Sequence, residues 1–114
     1  MSKREWKLFV EDISESIGKI WKYIENMEFK DFKNDAKTID AVVRNLEIIG
    51  EASKNIPKNI KDKHQNIYWK GISGLRNRII HEYFGVDIKI IWHIIKEELP
   101  PLKKQMAQIL KKTK

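Results

Sequence analysis

The residues with most chemical potential lie in one short stretch, Gly74-Leu75-Arg76-Asn77-Arg78-Ile79-Ile80-His81-Glu82-Tyr83-Phe84, where hydrogen-bonding side chains crowd a segment otherwise built for a core. Imidazole titrates near pH 6.5, so two histidines can share the work of deprotonating a ribose 2′-hydroxyl and protonating a leaving 5′-oxygen. A guanidinium fork binds a phosphate through paired N–H groups and stabilises the extra negative charge that develops at phosphorus. Arg76 and His81 are the candidates for these roles, and Asn77 can orient the imidazole or hold phosphate. The chemistry needs no metal.

The apolar spacing predicts a helix from about Tyr68 to Tyr83, burying Trp69, Ile72, Leu75, Ile79 and Ile80 and ending at Gly85. On such a helix Asn77 and His81 lie one turn apart, Arg76 and Tyr83 share an adjacent face, and Arg76 and His81 sit about 140° apart. One rigid helix therefore does not aim both groups at the same atom. A two-fold axis near the motif solves this, because an isologous interface brings two copies of each group into one cleft. On residue types alone, an Arg and a His on one helix more often form a salt-linked surface or a capped core histidine.

Other polar groups carry less. Glu82 neighbours His81, but adjacent helix positions point apart, which makes it a solvated carboxylate. Arg78 reads as a surface cation, and Asn45 and Glu51 as groups that support the cleft from a second helix or simply decorate its surface. His64 falls in a polar loop and His93 interrupts an apolar helix without catalytic companions. With no cysteine and three scattered histidines, neither a metal nor a cofactor is expected.

The elements that must position the motif follow from hydrophobic periodicity. Trp6, Val10, Ile13, Ile17, Ile20, Ile24 and Met27 alternate spacings of four and three, the seam of a long amphipathic helix from Lys3 to Met27. Asn34 and Asp35 can cap a second helix with Ile39, Val42, Val43, Leu46, Ile49 and Ala52 inward, ending before Pro57. Gly50 allows close helix contact. The polar segments Glu28–Lys37 and Pro57–Asn66 read as connections, the latter as the main surface loop. Asp87 can cap a fourth long helix with Ile88, Ile91, Trp92, Ile95 and Leu99 inward, stopped or kinked at Pro100-Pro101. Leu102, Met106, Ile109 and Leu110 suggest a short terminal helix. The expectation is an all-α, up-and-down bundle of four long helices plus a short C-terminal one, with 1–114 as one domain.

Composition agrees with a folded protein: 114 residues, 41% apolar and 34% charged. No apolar run approaches the ~20 residues of a membrane span, and the N-terminus lacks a signal-peptide core, so the expected location is cytoplasmic. The net charge of +7 can attract a polyanion, although Lys103, Lys104, Lys111, Lys112 and Lys114 equally make a solvated helix face.

The run Arg76 to His81 resembles the HEPN motif of Arg, a polar residue, three variable positions and His, and Tyr83 completes the form with a tyrosine two residues later. Arg-Asn-Leu-Glu-Ile-Ile-Gly-Glu-Ala at 44–52 and Tyr-Phe-Gly-Val-Asp at 83–87 resemble the HepT-like subgroup, so the likeness covers most of the chain. The resemblance implies a HEPN-type helical fold and a homodimer, able to assemble further, with a composite cleft. It implies metal-independent RNA cleavage by Arg76 and His81, the activity of a toxin in a toxin–antitoxin pair. It also implies a partner: a minimal nucleotidyltransferase (MNT) antitoxin that transfers AMP to the motif tyrosine, here Tyr83. An adenylyl group there adds bulk and phosphate charge beside Arg76. The plain reading of Tyr83 is a packing aromatic with a satisfied hydroxyl. Two rival readings remain: a non-catalytic helical subunit that docks a nucleotidyltransferase or holds a nucleotide, and nonspecific DNA binding through the lysines.

Overall fold

The computed structural model describes residues 3–81 and 85–112, without the side chains of residues 3, 4 and 81. Helix α1 (Lys3–Tyr23) and helix α3 (Ala36–Lys54) pack along each other. The expected seams meet there: Val10, Ile13, Ile17 and Ile20 of α1 and Val42, Leu46 and Ile49 of α3 are all fully buried. Asp35 caps α3, accepting from the Thr38 N–H at 3.0 Å, which holds the Asp35 carboxyl below its usual range. The polar connection before it is not irregular throughout. A five-residue helix, α2 (Phe29–Lys33), forms because the Glu28 and Asp31 side chains satisfy its first N–H groups reciprocally. Phe32 then anchors it, with its ring centroid 5.1 Å from that of Trp92.

The loop expected at Pro57–Asn66 likewise contains a short helix, α4 (Lys58–Lys63), pinned by buried Ile60. Beyond it the expected single helix from Tyr68 to Tyr83 does not form. The chain makes two five-residue helices, α5 (Trp69–Ser73) and α6 (Leu75–Ile79), broken at Gly74. It then turns extended at Ile80, whose φ and ψ are −104° and 123°. Strand β1 (Ile80–His81) pairs antiparallel with β2 (Gly85–Val86), Ile80 opposite Val86 and His81 opposite Gly85. Gly85 therefore serves a hairpin, with φ +77°, and not a helix end. Two β-branched isoleucines followed by a ladder partner outweigh the helix period, which these residues satisfied only up to Ile79.

Asp87 caps helix α7 (Ile88–His93), accepting from the Ile90 N–H at 3.1 Å. The expected stop at Pro100-Pro101 is also absent. Helix α7 continues through a π-helical segment, Ile94–Glu98, into α8 (Leu99–Lys112), and both prolines lie inside α8. The Leu99 N–H reaches back five residues to the Ile94 carbonyl. Widening the helix by one residue shifts aside the carbonyls that the proline rings would strike, so the chain absorbs the prolines without breaking. The all-α bundle stands, with its last two helices fused into one. Helix α8 lies against α1, where Lys103 Nζ donates to the Ser14 carbonyl at 2.9 Å and to its hydroxyl at 3.0 Å. Lys103 is thus a tie between helices, whereas Lys104, Lys111 and Lys112 are exposed. Among the described residues no helix is long and apolar enough to cross a membrane.

Candidate active site

The segment carrying the motif is held by its flanks. α5 and α6 rest on α3, where a Cβ on Gly50 would sit 3.2 Å from the Ile72 carbonyl oxygen. Gly50 thus allows the close approach expected of it. Ser53, fully buried on α3, donates its hydroxyl to the Gly50 carbonyl at 2.8 Å and can accept from the Ser73 hydroxyl at 2.9 Å. At the far end the Ile80 N–H donates to the Arg76 carbonyl, and the Asp87 N–H to the Ile79 carbonyl at 2.7 Å. Leu75 and Ile79 plug the segment into the core. Each buried aliphatic of this size is worth roughly 1.5–3 kcal/mol.

On this support Arg76 and Asn77 are solvent-exposed on α6. The backbone of His81 lies two positions past the end of that helix, in β1. The helical angle of about 140° between Arg76 and His81 thus does not describe their relation. Tyr83 lies outside the described residues, as do Glu82 and the side chain of His81.

The supporting candidates are engaged separately. Asn45 is buried and its Nδ2 donates to the Ala41 carbonyl of its own helix at 2.9 Å. Glu51 is exposed and pairs with Lys54 at 3.2 Å. Arg78 is half-buried and grips Glu98 with both guanidinium nitrogens, the Nη1 to Oε1 distance being 2.8 Å. The periodicity gives no sign of this pair, because the partners are twenty residues apart and meet only through the π-helical segment. That segment also sets His93 Nε2 3.8 Å from the same carboxylate.

The fork on Glu98 holds Arg78 above its usual guanidinium range, against partial burial, with smaller contributions from the charge of Glu98 and from Tyr68. It likewise holds the Glu98 carboxyl below its usual value of 4.5, the Arg78 hydrogen bond being the largest cause. A carboxyl with a depressed folded pKa stabilises above its unfolded pKa and loses that contribution as pH falls through the folded one. Glu98→Gln should therefore melt lower than wild type at pH 7, with the gap closing below about pH 4. Because the pair is about one-third exposed, solvent screening keeps the effect small. Thermal melts across pH 3–7 check this, and a gap that stays constant would refute it.

Helix α6 carries Arg76 and Arg78 and no carboxylate, a charge that suits an anion. Among the described residues no cluster of three or more His, Asp or Glu is spaced to hold a metal ion.

The all-α bundle is consistent with the HEPN class. The sequence model of the family described as "Ribonuclease HepT-like" matches residues 13–109. The chain is 45% identical over 109 residues to "Probable ribonuclease HepT" of Thermococcus cleftensis, covering 96% of this chain and 99% of the relative. It is 44% identical over 111 residues to a "Putative RNase" of Methanocaldococcus jannaschii, covering 97% and 92%. A "Putative RNase" of Caldanaerobacter subterraneus is 44% identical over 106 residues, covering 93% and 95%. The chain belongs to the HepT-like ribonuclease family. No solved structure matches it.

Proposed function

We propose that this protein is a metal-independent endoribonuclease of the toxin type, active as a homodimer whose cleft takes Arg76 and His81 from both subunits. The observation that carries the reading is membership of the HepT-like ribonuclease family over nearly the whole chain, with the Arg76–His81 motif intact. The exposure of Arg76 and Asn77 on a segment anchored at both ends supports it, since a phosphate ligand must reach its donors from solvent. His81 serves as general acid and base. Arg76 binds the scissile phosphate and the charge that develops on it, and Asn77 positions the imidazole or the phosphate.

Control falls to a nucleotidyltransferase antitoxin that adenylylates Tyr83. Incubation with such a partner and ATP should add one AMP to the intact mass, and Tyr83→Phe should abolish the addition. Modification elsewhere would remove Tyr83 from this role.

The activity itself is tested with purified protein, total tRNA and mRNA in excess EDTA. Cleavage is the expected result. Absence of cleavage by protein shown by mass to be unmodified would leave a partner-binding module in its place.

A further inference from the structure

Tyr68 is 67% exposed, the most exposed of the large hydrophobic side chains among the described residues. It lies over Gly71, where a Cβ would stand 2.2 Å from Tyr68 Cε2. Any side chain at position 71 would displace the ring. Water-facing aromatics are normally withdrawn by the hydrophobic effect, so a ring seated on glycine and left open is arranged for a stacking partner.

Two cavities flank it, and both are lined by Tyr68 and Asn66. One, of about 250 Å³, has a floor of Ile72, Leu75, Ile94 and Leu99 and a rim that includes Glu97 and Gln105. It falls below the roughly 300–1,000 Å³ of pockets for drug-sized ligands and suits a flat ring of a single base. The other is an open depression bordered by Lys58, Lys61 and Lys70. Lys61 lies 5.7 Å from the Trp69 ring centroid, and partial burial lowers its pKa without partner charges. Lys58 pairs with Asp62 at 3.1 Å, but both are exposed, and such a pair holds its lysine weakly.

We propose that Tyr68 is a base-stacking platform for one unpaired nucleotide of RNA, with the base in the apolar cavity and its flanking phosphates on Lys58, Lys61 and Lys70. Asn66, Gln105 and Glu97 face the edge of the base, where amides and a carboxylate read its donors and acceptors. Glu97 and Glu98 on one side, and three lysines against the single carboxylate of Asp62 on the other, set the direction of the strand, since phosphates are repelled from the first and held by the second. The platform belongs to the same arm as the motif, since Leu75, next to Arg76 in the chain, lines the cavity. The choice of RNA as occupant rests on the proposed ribonuclease activity.

The test is binding of a short, unstructured, single-stranded RNA to His81→Ala protein by fluorescence anisotropy, with Tyr68 varied on that background. Tyr68→Ala should raise Kd roughly 5- to 150-fold, the range for loss of one base–aromatic stack, and Tyr68→Phe should restore binding to within about two-fold. Replacing Lys58, Lys61 and Lys70 by Gln should flatten the plot of log K against log salt by about two, at ~0.7 per phosphate. The exposed position of Tyr68 means that the melting temperature should not move. Undiminished binding by Tyr68→Ala overturns the platform. Tyr68-dependent binding without cleavage by wild type would keep the platform and reject the nuclease, and cleavage with Tyr68→Ala unimpaired in binding and rate would do the reverse.

Discussion

Replacing His81 by alanine should reduce RNA cleavage by about 10²- to 10⁴-fold while leaving the bundle folded, the range for loss of a positioned general acid–base group. The fold should survive because the change is confined to one position in a two-residue strand, away from the seams of α1, α3 and α8. The backbone pairing of residue 81 with Gly85 does not need an imidazole. Cleavage rates with total tRNA in excess EDTA, set beside circular dichroism, measure both halves of the prediction. An alanine variant that cleaves as fast as wild type would remove His81 from the chemistry and expose a contaminating nuclease. The wild-type rate should also depend on pH near the imidazole range, and that dependence should vanish with His81.

Arg76→Ala should cost about 10²- to 10³-fold, comparable to removing one preorganised donor from a developing oxyanion. Arg76→Lys tests the geometry separately. It keeps the charge but loses the planar fork, so a recovery of only about ten-fold is expected if the guanidinium grips the phosphate through two N–H groups. Full rescue by lysine would reduce Arg76 to a point charge. The composite cleft can be read from the same variants. Mixed dimers of Arg76→Ala and His81→Ala subunits contain one intact Arg76–His81 set if each set spans two subunits, and none if each lies within one. Activity in the mixture, with neither parent active, is the expected result. An inactive mixture would refute a site completed by one Arg76 and one His81 from different subunits. Stability should be unaffected in each case, since Arg76 is exposed and its helix is fixed by Leu75 and Ile79.

The long helices were legible because their signal is local and repeated. Over α1 and α3 the same faces recur every three or four residues, and burying them follows from composition with no knowledge of the partner. The caps at Asp35 and Asp87 were legible for the same reason, each being a side chain three residues from the N–H it accepts. Membership of the family rested on residue types in order, which do not depend on how the chain bends between them.

What the sequence left undecided lies where local preferences conflict. Through Ile79-Ile80-His81 both a helix and a strand satisfy the apolar pattern, and the pairing of Ile80 with Val86 of β2 tips the balance. The prolines at 100 and 101 forbid an ordinary helix turn, but the buried faces of Ile94, Ile95, Leu99 and Leu102 favour continuing, and a π-helical segment reconciles the two. The Arg78–Glu98 pair and the cavity beside Tyr68 join α5, α6 and the fused α7–α8 helix at separations that no period encodes. The sequence alone thus determined the chemistry available and the elements that carry it. Only the tertiary structure decided which groups share a surface, because contacts between distant segments depend on the packing of the whole bundle and not on neighbours in the chain.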